Sequence, residues 1–199
     1  MKKIYIILTI IFVIIFLIFY YKNQKLGNTI IKLNEDEIIE NILNGKLNYE
    51  AKIKVKVYSN KNENEYELKI RENEEENSLI EGIGNNNISG LKIENKDGNL
   101  IIKNTKLKLD KIYENYKEIT DNSLFLSSFS KDYIETDKKS EKENSNEKII
   151  KITLKDYSKY IKYKELYLNK NTGIPTKMII KDSSNKPKII IEYTSVEIL

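Results

Sequence analysis

The chain has 199 residues, of which 34 are basic, 30 are acidic and 40% are hydrophobic, and its formal net charge is +4. It contains no Cys and no His, which excludes disulfides, thiol nucleophiles, zinc sites built on these ligands and histidine-dependent dyads. The near balance of basic and acidic residues disfavours electrostatic binding of nucleic acid. We therefore expect no metal, no cofactor, no nucleic-acid partner and no enzymatic activity.

Residues 4–21 form an uncharged run of mainly aliphatic and aromatic side chains with lysines on both sides. As a helix this run would be about 27 Å long, close to the hydrocarbon thickness of a bilayer, about 30 Å. We predict an uncleaved, single-pass membrane anchor, with residues 1–3 in the cytoplasm and the remainder outside it. The anchor residues singled out are Ile4, Phe12, Phe16, Tyr20 and Tyr21. A cleaved signal peptide is the alternative, although the run ends without the small residues that precede a cleavage site.

After a linker at 22–33, residues 34–199 are long enough for one domain with a hydrophobic core. Asn34 can cap a helix over 34–45, because acidic residues fill the first turn and an isoleucine-rich stripe follows. Gly45 then supplies a stop signal at the end of this helix.

Strands dominate the next part of the domain. Strict alternation of apolar and polar residues predicts a strand over 47–57, and a second strand over 66–70 completes a hairpin. Weaker patterns predict strands at 78–84, 91–94, 100–103 and 105–113. Gly98 suits a tight turn between two of these strands.

The second half of the domain begins with a predicted helix over 121–133, with Asp121 or Asn122 as its cap. Residues 135–147 are almost entirely polar, so we predict a mobile loop there. Short strands at even spacing then form a meander, at 150–154, 160–168, 177–181 and 188–196. The predicted class is α+β, with a curved antiparallel sheet that carries two or three helices on its concave face.

Carboxylate clusters at 35–37 and 74–76 could in principle supply acid and base groups. A helix cap or a solvated surface is the favoured explanation for them. Residues 95–99 resemble part of a calcium loop but lack the bidentate Glu, so a hairpin turn is favoured there. None of these residues is assigned to a catalytic or metal site.

Tyrosines alternate with lysines between positions 155 and 167. Such a pattern could stack on sugars or bases, or meet an anionic lipid or a protein partner. The alternative is a sheet with lysines on its outer face and tyrosines in its core. The candidate partner-binding residues here are Tyr157, Tyr160 and Tyr163.

A second candidate surface lies on the predicted helix over 121–133. Its apolar residues could line a groove for an acyl chain or for another protein, although a helix stripe is more often core. The candidate groove residues are Leu124, Phe125, Phe129 and Tyr133.

The segment 167–182 reads YLNKNTGIPTKMIIKD and is followed at 188–193 by KIIIEY. This hairpin resembles the one shared by LolA-like proteins, and within that superfamily the chain is most similar to the GerS-type germination lipoproteins of clostridial spores. The resemblance covers residues 34–199. It implies an open, strongly curved antiparallel half-barrel with helices in its mouth.

The same resemblance implies a non-catalytic role. GerS-type proteins partner the cortex amidase CwlD, which helps to generate the muramic-δ-lactam that cortex-lytic enzymes recognise. A lipoprotein needs a Cys after its signal segment and this chain has none; attachment is therefore expected to depend on the helix over 4–21. We expect a membrane-anchored accessory protein of germination, with its ectodomain facing the forespore or cell envelope.

A lipid- or lipoprotein-binding carrier or sensor is the alternative function. It would hold an acyl chain in the half-barrel, whereas the accessory protein would dock an enzyme on the sheet or its rim. The two differ in whether the concave face is filled by the protein's own side chains or left as an open apolar cavity.

Overall fold

The structure, a computed structural model, describes residues 33–59, 61–73, 77–84, 87–114 and 123–199. Asn34–Leu199 forms one compact unit. Its two described helices are α1 (Glu35–Leu43) and α2 (Leu126–Glu135). The described strands are β1 (Tyr49–Tyr58), β2 (Glu63–Glu72), β3 (Ser78–Ile83), β4 (Leu91–Lys96), β5 (Asn99–Asn104), β6 (Leu109–Tyr113), β7 (Lys139–Glu143), β8 (Glu147–Thr153), β9 (Tyr163–Asn169), β10 (Pro175–Lys181) and β11 (Pro187–Ile198).

All of these strands belong to one open antiparallel sheet, in the order β6-β5-β4-β3-β2-β1-β11-β10-β9-β8-β7. Two meanders, β1–β6 and β7–β11, meet where β1 pairs with β11 from Tyr49↔Ile198 to Val57↔Ile189. The predicted α+β class with an antiparallel sheet and two helices is confirmed. The first and last strands of the domain therefore lie side by side near the middle of the sheet.

Helix α1 begins at the predicted cap. The Glu37 amide donates to Asn34 Oδ1 at 2.9 Å and the Asn34 amide donates to Glu37 Oε2 at 3.0 Å, which completes a capping box. The helix ends at Leu43, and Gly45, just beyond the C-cap Asn44, has φ of +69°. The amide of Lys46 then donates to the carbonyl of Asn41 at 2.8 Å, as in a Schellman motif.

The period-two pattern of the strands places the core on one face of the sheet. Ala51, Ile53 and Val55 are buried on β1, and three of their cross-strand neighbours are buried on the same face, namely Leu68 and Ile70 on β2 and Ile191 on β11. The opposite face carries charged pairs, such as Lys69 Nζ with Glu50 Oε1 at 2.7 Å. Both helices pack on the buried face and contact each other, since Ser130 Oγ of α2 donates to the carbonyl of Ile42.

The glycine of the Thr-Gly-x-Pro hairpin has a packing role. Gly173 has φ of +69°, and a Cβ there would lie 2.6 Å from the carbonyl oxygen of Glu35 and 3.1 Å from Ile38 Cβ. The turn between β9 and β10 thus packs against the start of α1, which only glycine permits. This contact places residue 35 at the end of β9 that carries this turn.

Three predictions need correction. Residues 135–147 contain the edge strand β7, which pairs with β8 from Lys139↔Ile152 to Glu143↔Lys148, in place of the predicted loop. Every residue of β7 is exposed, because an edge strand needs backbone pairing and no apolar face. The N-cap of α2 is Phe125, and the predicted caps, Asp121 and Asn122, lie outside the described residues. The predicted strand over 105–113 is shortened to β6, since 105–108 form a turn.

Candidate functional site

An apolar cavity of about 300 Å³ lies on the helix-bearing face of the sheet. Its floor comes from β1–β4, and Leu124 contributes from the segment that leads into α2. The lining residues are Val55, Val57, Tyr66, Leu68, Ile80, Gly82, Ile88, Leu91, Ile93 and Leu124. Eight of these ten residues are aliphatic, Gly82 has no side chain, and the hydroxyl of Tyr66 is the one polar side-chain group among them. The cavity can therefore hold an apolar group and offers little polar chemistry.

Gly82 shapes one wall of this cavity. A Cβ at Gly82 would lie 2.1 Å from the carbonyl oxygen of Ile88, so the turn at 87–90 can fold over β3 only because this position is glycine. The Gly90 amide donates to the Gly82 carbonyl at 3.3 Å, and the Leu91 amide donates to the Ile88 carbonyl at 2.9 Å. These contacts hold the Ile88 side chain at the rim.

Helix α2 fills another part of the same face. Phe125, Leu126 and Phe129 are at most 2% exposed and belong to the core. The prediction that Phe125 and Phe129 line an accessible groove is therefore wrong, because the helix packs its apolar stripe inward. Leu124 does line the cavity. Tyr133 is half-buried, with its ring 6.3 Å from that of Phe129 and Lys139 Nζ 4.0 Å from its centre.

The start of α2 is held by side chains of the sheet. No side chain caps the helix from Phe125; the Leu126 amide donates to Tyr49 Oη at 3.1 Å and the Ser127 amide to Glu72 Oε2 at 3.3 Å. Burial raises the pKa of the Glu72 carboxyl, although hydrogen bonds from Ser127 act in the opposite direction. Burial likewise raises the pKa of Tyr49 well above its ordinary value. A sheet carboxylate thus takes the place of an N-cap.

Lys164 holds the middle of α2. Its ammonium forms an ion pair with Asp132 and donates to Ser128 Oγ at 2.8 Å. A Ser–Lys pair at this distance occurs in some hydrolases, but here the ion-paired ammonium is a donor and the serine is buried. These contacts therefore attach α2 to β9 and are structural.

The predicted tyrosines lie together at the start of β9, at the opposite end from the turn that contains Gly173. Residues 154–162, named here the tyrosine–lysine loop, join β8 to β9 and lead directly to Tyr163. Tyr157 and Tyr160 are 55% and 57% exposed, while Tyr163 is half-buried. Lys162 Nζ lies 4.6 Å from the ring centre of Tyr157 and 5.3 Å from that of Tyr163. The loop is therefore an exposed surface, separate from the cavity.

The carboxylate cluster at 35–37 and the loop at 95–99 have structural roles, and the cluster at 74–76 lies outside the described residues. Glu37 belongs to the capping box, and Asp97 and Gly98 form a two-residue hairpin turn with φ of +53° and +75°. Among the described residues, no cluster of carboxylates could hold a metal ion.

The anchor predicted over 4–21, with Ile4, Phe12, Phe16, Tyr20 and Tyr21, also lies outside the described residues. Within the part of the chain that the structure covers, neither helix has the length and apolar character needed to span a bilayer.

The fold is similar to that of the GerS lipoprotein in its complex with the CwlD amidase from Clostridioides difficile, with 24% identity, a TM-score of 0.51, and 77% of this chain and 88% of that chain covered. An uncharacterized conserved protein from Thermus thermophilus gives 10% identity and a TM-score of 0.51 over 82% of this chain and 86% of that one. A LolA superfamily protein from Nitrosomonas europaea is 11% identical, with a TM-score of 0.38, and the match covers 84% of this chain and 94% of that one. The sequence matches no family model and no curated protein. The predicted resemblance to the GerS fold is confirmed.

Proposed function

We propose that this chain is a non-catalytic binding protein of the cell envelope that holds a partner protein through its apolar cavity. The observation that carries this proposal is the cavity of about 300 Å³ on the helix-bearing face. Its volume lies at the lower limit of ligand pockets, about 300–1,000 Å³, which suits one or two apolar side chains. Protein interfaces draw most of their affinity from a few such anchors in desolvated pockets.

We propose further that the partner is a cortex peptidoglycan amidase of the CwlD type and that the process is spore germination. The support for this partner is the similarity to GerS, which covers 88% of the GerS chain. The structure of GerS is that of its complex with the CwlD amidase. The amidase would supply the chemistry, and this chain would hold it in place.

Attachment to the membrane through residues 4–21 is part of the same proposal. The uncharged run and the lysines on both sides of it support a single-pass anchor. A deletion of 4–21 should move the protein from the membrane fraction to the soluble fraction of the cell. Recovery of the deletion variant in the membrane fraction would contradict the anchor.

The central experiment is co-purification of the tagged full-length chain with the CwlD-type amidase of the same organism. Val57→Trp on β1 should fill the cavity and reduce the recovered amidase by about tenfold or more, the loss expected for a blocked anchor pocket. Ile190→Trp is the matched control, because Ile190 pairs with Lys56 on the opposite face of the sheet. Equal recovery with both variants, each folded by circular dichroism, would overturn the assignment of the cavity.

A lipid- or lipoprotein-binding carrier or sensor is the second candidate, and the apolar lining of the cavity favours it independently. An acyl chain and an apolar side chain need the same surroundings. Mass spectrometry of lipids and proteins in the same purification distinguishes the two. Stoichiometric lipid that is lost in Val57→Trp, with no amidase, would replace the accessory function by the carrier or sensor function.

A further inference from the structure

The tyrosine–lysine loop carries three lysines, Lys155, Lys159 and Lys162, and one acid, Asp156. On the outer face of the sheet, lysines are paired with acids, as Lys54 is with Glu67 and Lys56 with Glu65, both at 3.5 Å. Within the described part of the chain, no carboxylate lies within 4.0 Å of the ammonium groups of Lys155, Lys159 and Lys162. With three lysines against one aspartate, the loop has a local excess of positive charge on a domain that is otherwise close to balance.

Aromatic rings hold two of these cations. Lys159 Nζ lies 4.8 Å from the ring centre of Tyr160, and Lys162 Nζ lies 4.6 and 5.3 Å from the ring centres of Tyr157 and Tyr163. Cations within about 6 Å of a ring centre are attracted to its face. This attraction restrains the ammonium groups but leaves their charge available to an anion.

Hydrogen bonds fix the loop against the neighbouring strands. The Leu154 amide donates to the Lys162 carbonyl at 2.9 Å, and the Lys162 amide donates to the Lys181 carbonyl of β10 at 2.8 Å. The Ser183 amide donates to the Lys159 carbonyl at 3.2 Å. Because these bonds order the loop in advance, a ligand would lose less free energy in fixing it.

We infer that the tyrosine–lysine loop binds a carboxylate-bearing glycan of the cell wall, with Lys159 and Lys162 at its carboxylates and Tyr157 and Tyr160 beside its sugar rings. Sugar C–H groups suit the electron-rich faces of tyrosine rings, and lysine ammonium groups suit carboxylates. The inference rests on the proposed envelope function for access to such a polymer, but it uses a surface separate from the cavity.

A protein surface fits less well. Lysine is depleted in protein–protein interfaces, so three lysines around two exposed tyrosines favour a polyanion. An anionic lipid surface is the other polyanion, and the experiment below separates it from a glycan.

The test is co-sedimentation of the full-length chain, in detergent micelles, with purified peptidoglycan sacculi. Lys159→Gln/Lys162→Gln should lower the bound fraction at least about fivefold, a measurable loss for two charge-assisted contacts. Lys54→Gln/Lys56→Gln removes the same charge from a surface where both lysines are ion-paired, and should change binding by less than about twofold. Tyr157→Ala/Tyr160→Ala keeps the charge and should also weaken binding.

Three outcomes would overturn the inference. They are an equal loss in both lysine variants, undiminished binding to sacculi whose carboxylates have been amidated, and binding confined to phosphatidylglycerol vesicles. Thermal melting of each variant shows that it is folded. Val57→Trp should leave sacculus binding unchanged, and the loop variants should leave amidase recovery unchanged, so failure of this inference and failure of the proposed function are separable.

Discussion

The ammonium of Lys164 on β9 and the carboxylate of Asp132 on α2 form an ion pair beneath the helix, where the Lys164 side chain is only 3% exposed. The same ammonium donates to the carbonyl and the hydroxyl of Ser128 at 3.1 and 2.8 Å. Its three donors are thus matched by three acceptors. A buried charge that is satisfied in this way fixes the position of the helix on the sheet more than it stabilises the fold.

Loss of the Asp132 carboxylate should leave the Lys164 charge buried and without its counter-ion. We expect Asp132→Ala to lower the free energy of unfolding by about 3 kcal/mol, measured by urea denaturation. Lys164→Met/Asp132→Leu should recover most of this loss, since an apolar pair of similar volume replaces buried ions at little cost. Asp137→Ala, at an exposed position two residues beyond the end of α2, is the control and should change stability by less than about 0.5 kcal/mol.

The buried Glu72 carboxyl should make stability fall as the pH rises. Its pKa in the folded protein is raised from the ordinary 4.5 by burial, so the native state retains a proton that the unfolded chain releases. Stability is therefore lost between pH 4.5 and the raised pKa, and Glu72→Gln should remove this part of the pH dependence. Tyr49 and Tyr193 face the same carboxyl, and burial raises the pKa of both, so neither titrates in this range.

The comparison that isolates Glu72 is the difference in unfolding free energy between the wild-type protein and Glu72→Gln across pH 4–8. A difference that stays constant with pH would contradict the raised pKa. Glu50, whose pKa is lowered chiefly by hydrogen bonds from Lys69 and Arg71, contributes with the opposite sign, and it cancels in this difference.

Any side chain at Gly82 should displace the turn at 87–90. We expect Gly82→Ala to destabilise the protein by about 2 kcal/mol, because its Cβ would overlap the carbonyl oxygen of Ile88. Glu81→Ala, on the neighbouring residue of β3, is the control for the change to alanine. Unfolding midpoints that are equal for these two variants would show that the turn can move without cost.

The capping box of α1 should contribute a small and local stabilisation. Asn34→Ala removes the acceptor for the Glu37 amide and should cost about 1 kcal/mol. Glu40→Ala, on an exposed position of the same helix, should cost less than about 0.5 kcal/mol. If the two variants melt at the same temperature, the cap does not stabilise the domain.

Patterns confined to neighbouring residues were enough to predict much of the fold. Alternation from Leu47 to Val57 predicts β1 because successive side chains of a strand point to opposite faces. Asn34 and Gly45 mark the ends of α1 because caps and left-handed turns depend on local backbone geometry. The tight turn at Gly98 follows from the same kind of local constraint.

The edge strand β7 depended on a distant partner. Its sequence, KSEKE, carries no apolar signal, and its strand conformation comes from backbone pairing with β8. Such pairing is not encoded in the side chains of the edge strand itself. The sequence therefore predicted correctly that this segment buries nothing, but not that it joins the sheet.

The candidate site was decided by tertiary structure. A stripe of apolar residues at 124–133 shows that one face of the helix is buried, but not what covers it. In the folded chain Phe125 and Phe129 fill the core, whereas Leu124 lines the cavity with residues of four strands. The sequence by itself determined which residues are apolar and with what period they recur. Only the packing of α2 and of the 87–90 turn decided which part of that apolar face stayed uncovered. The reason is that burial depends on contacts between residues far apart in the chain.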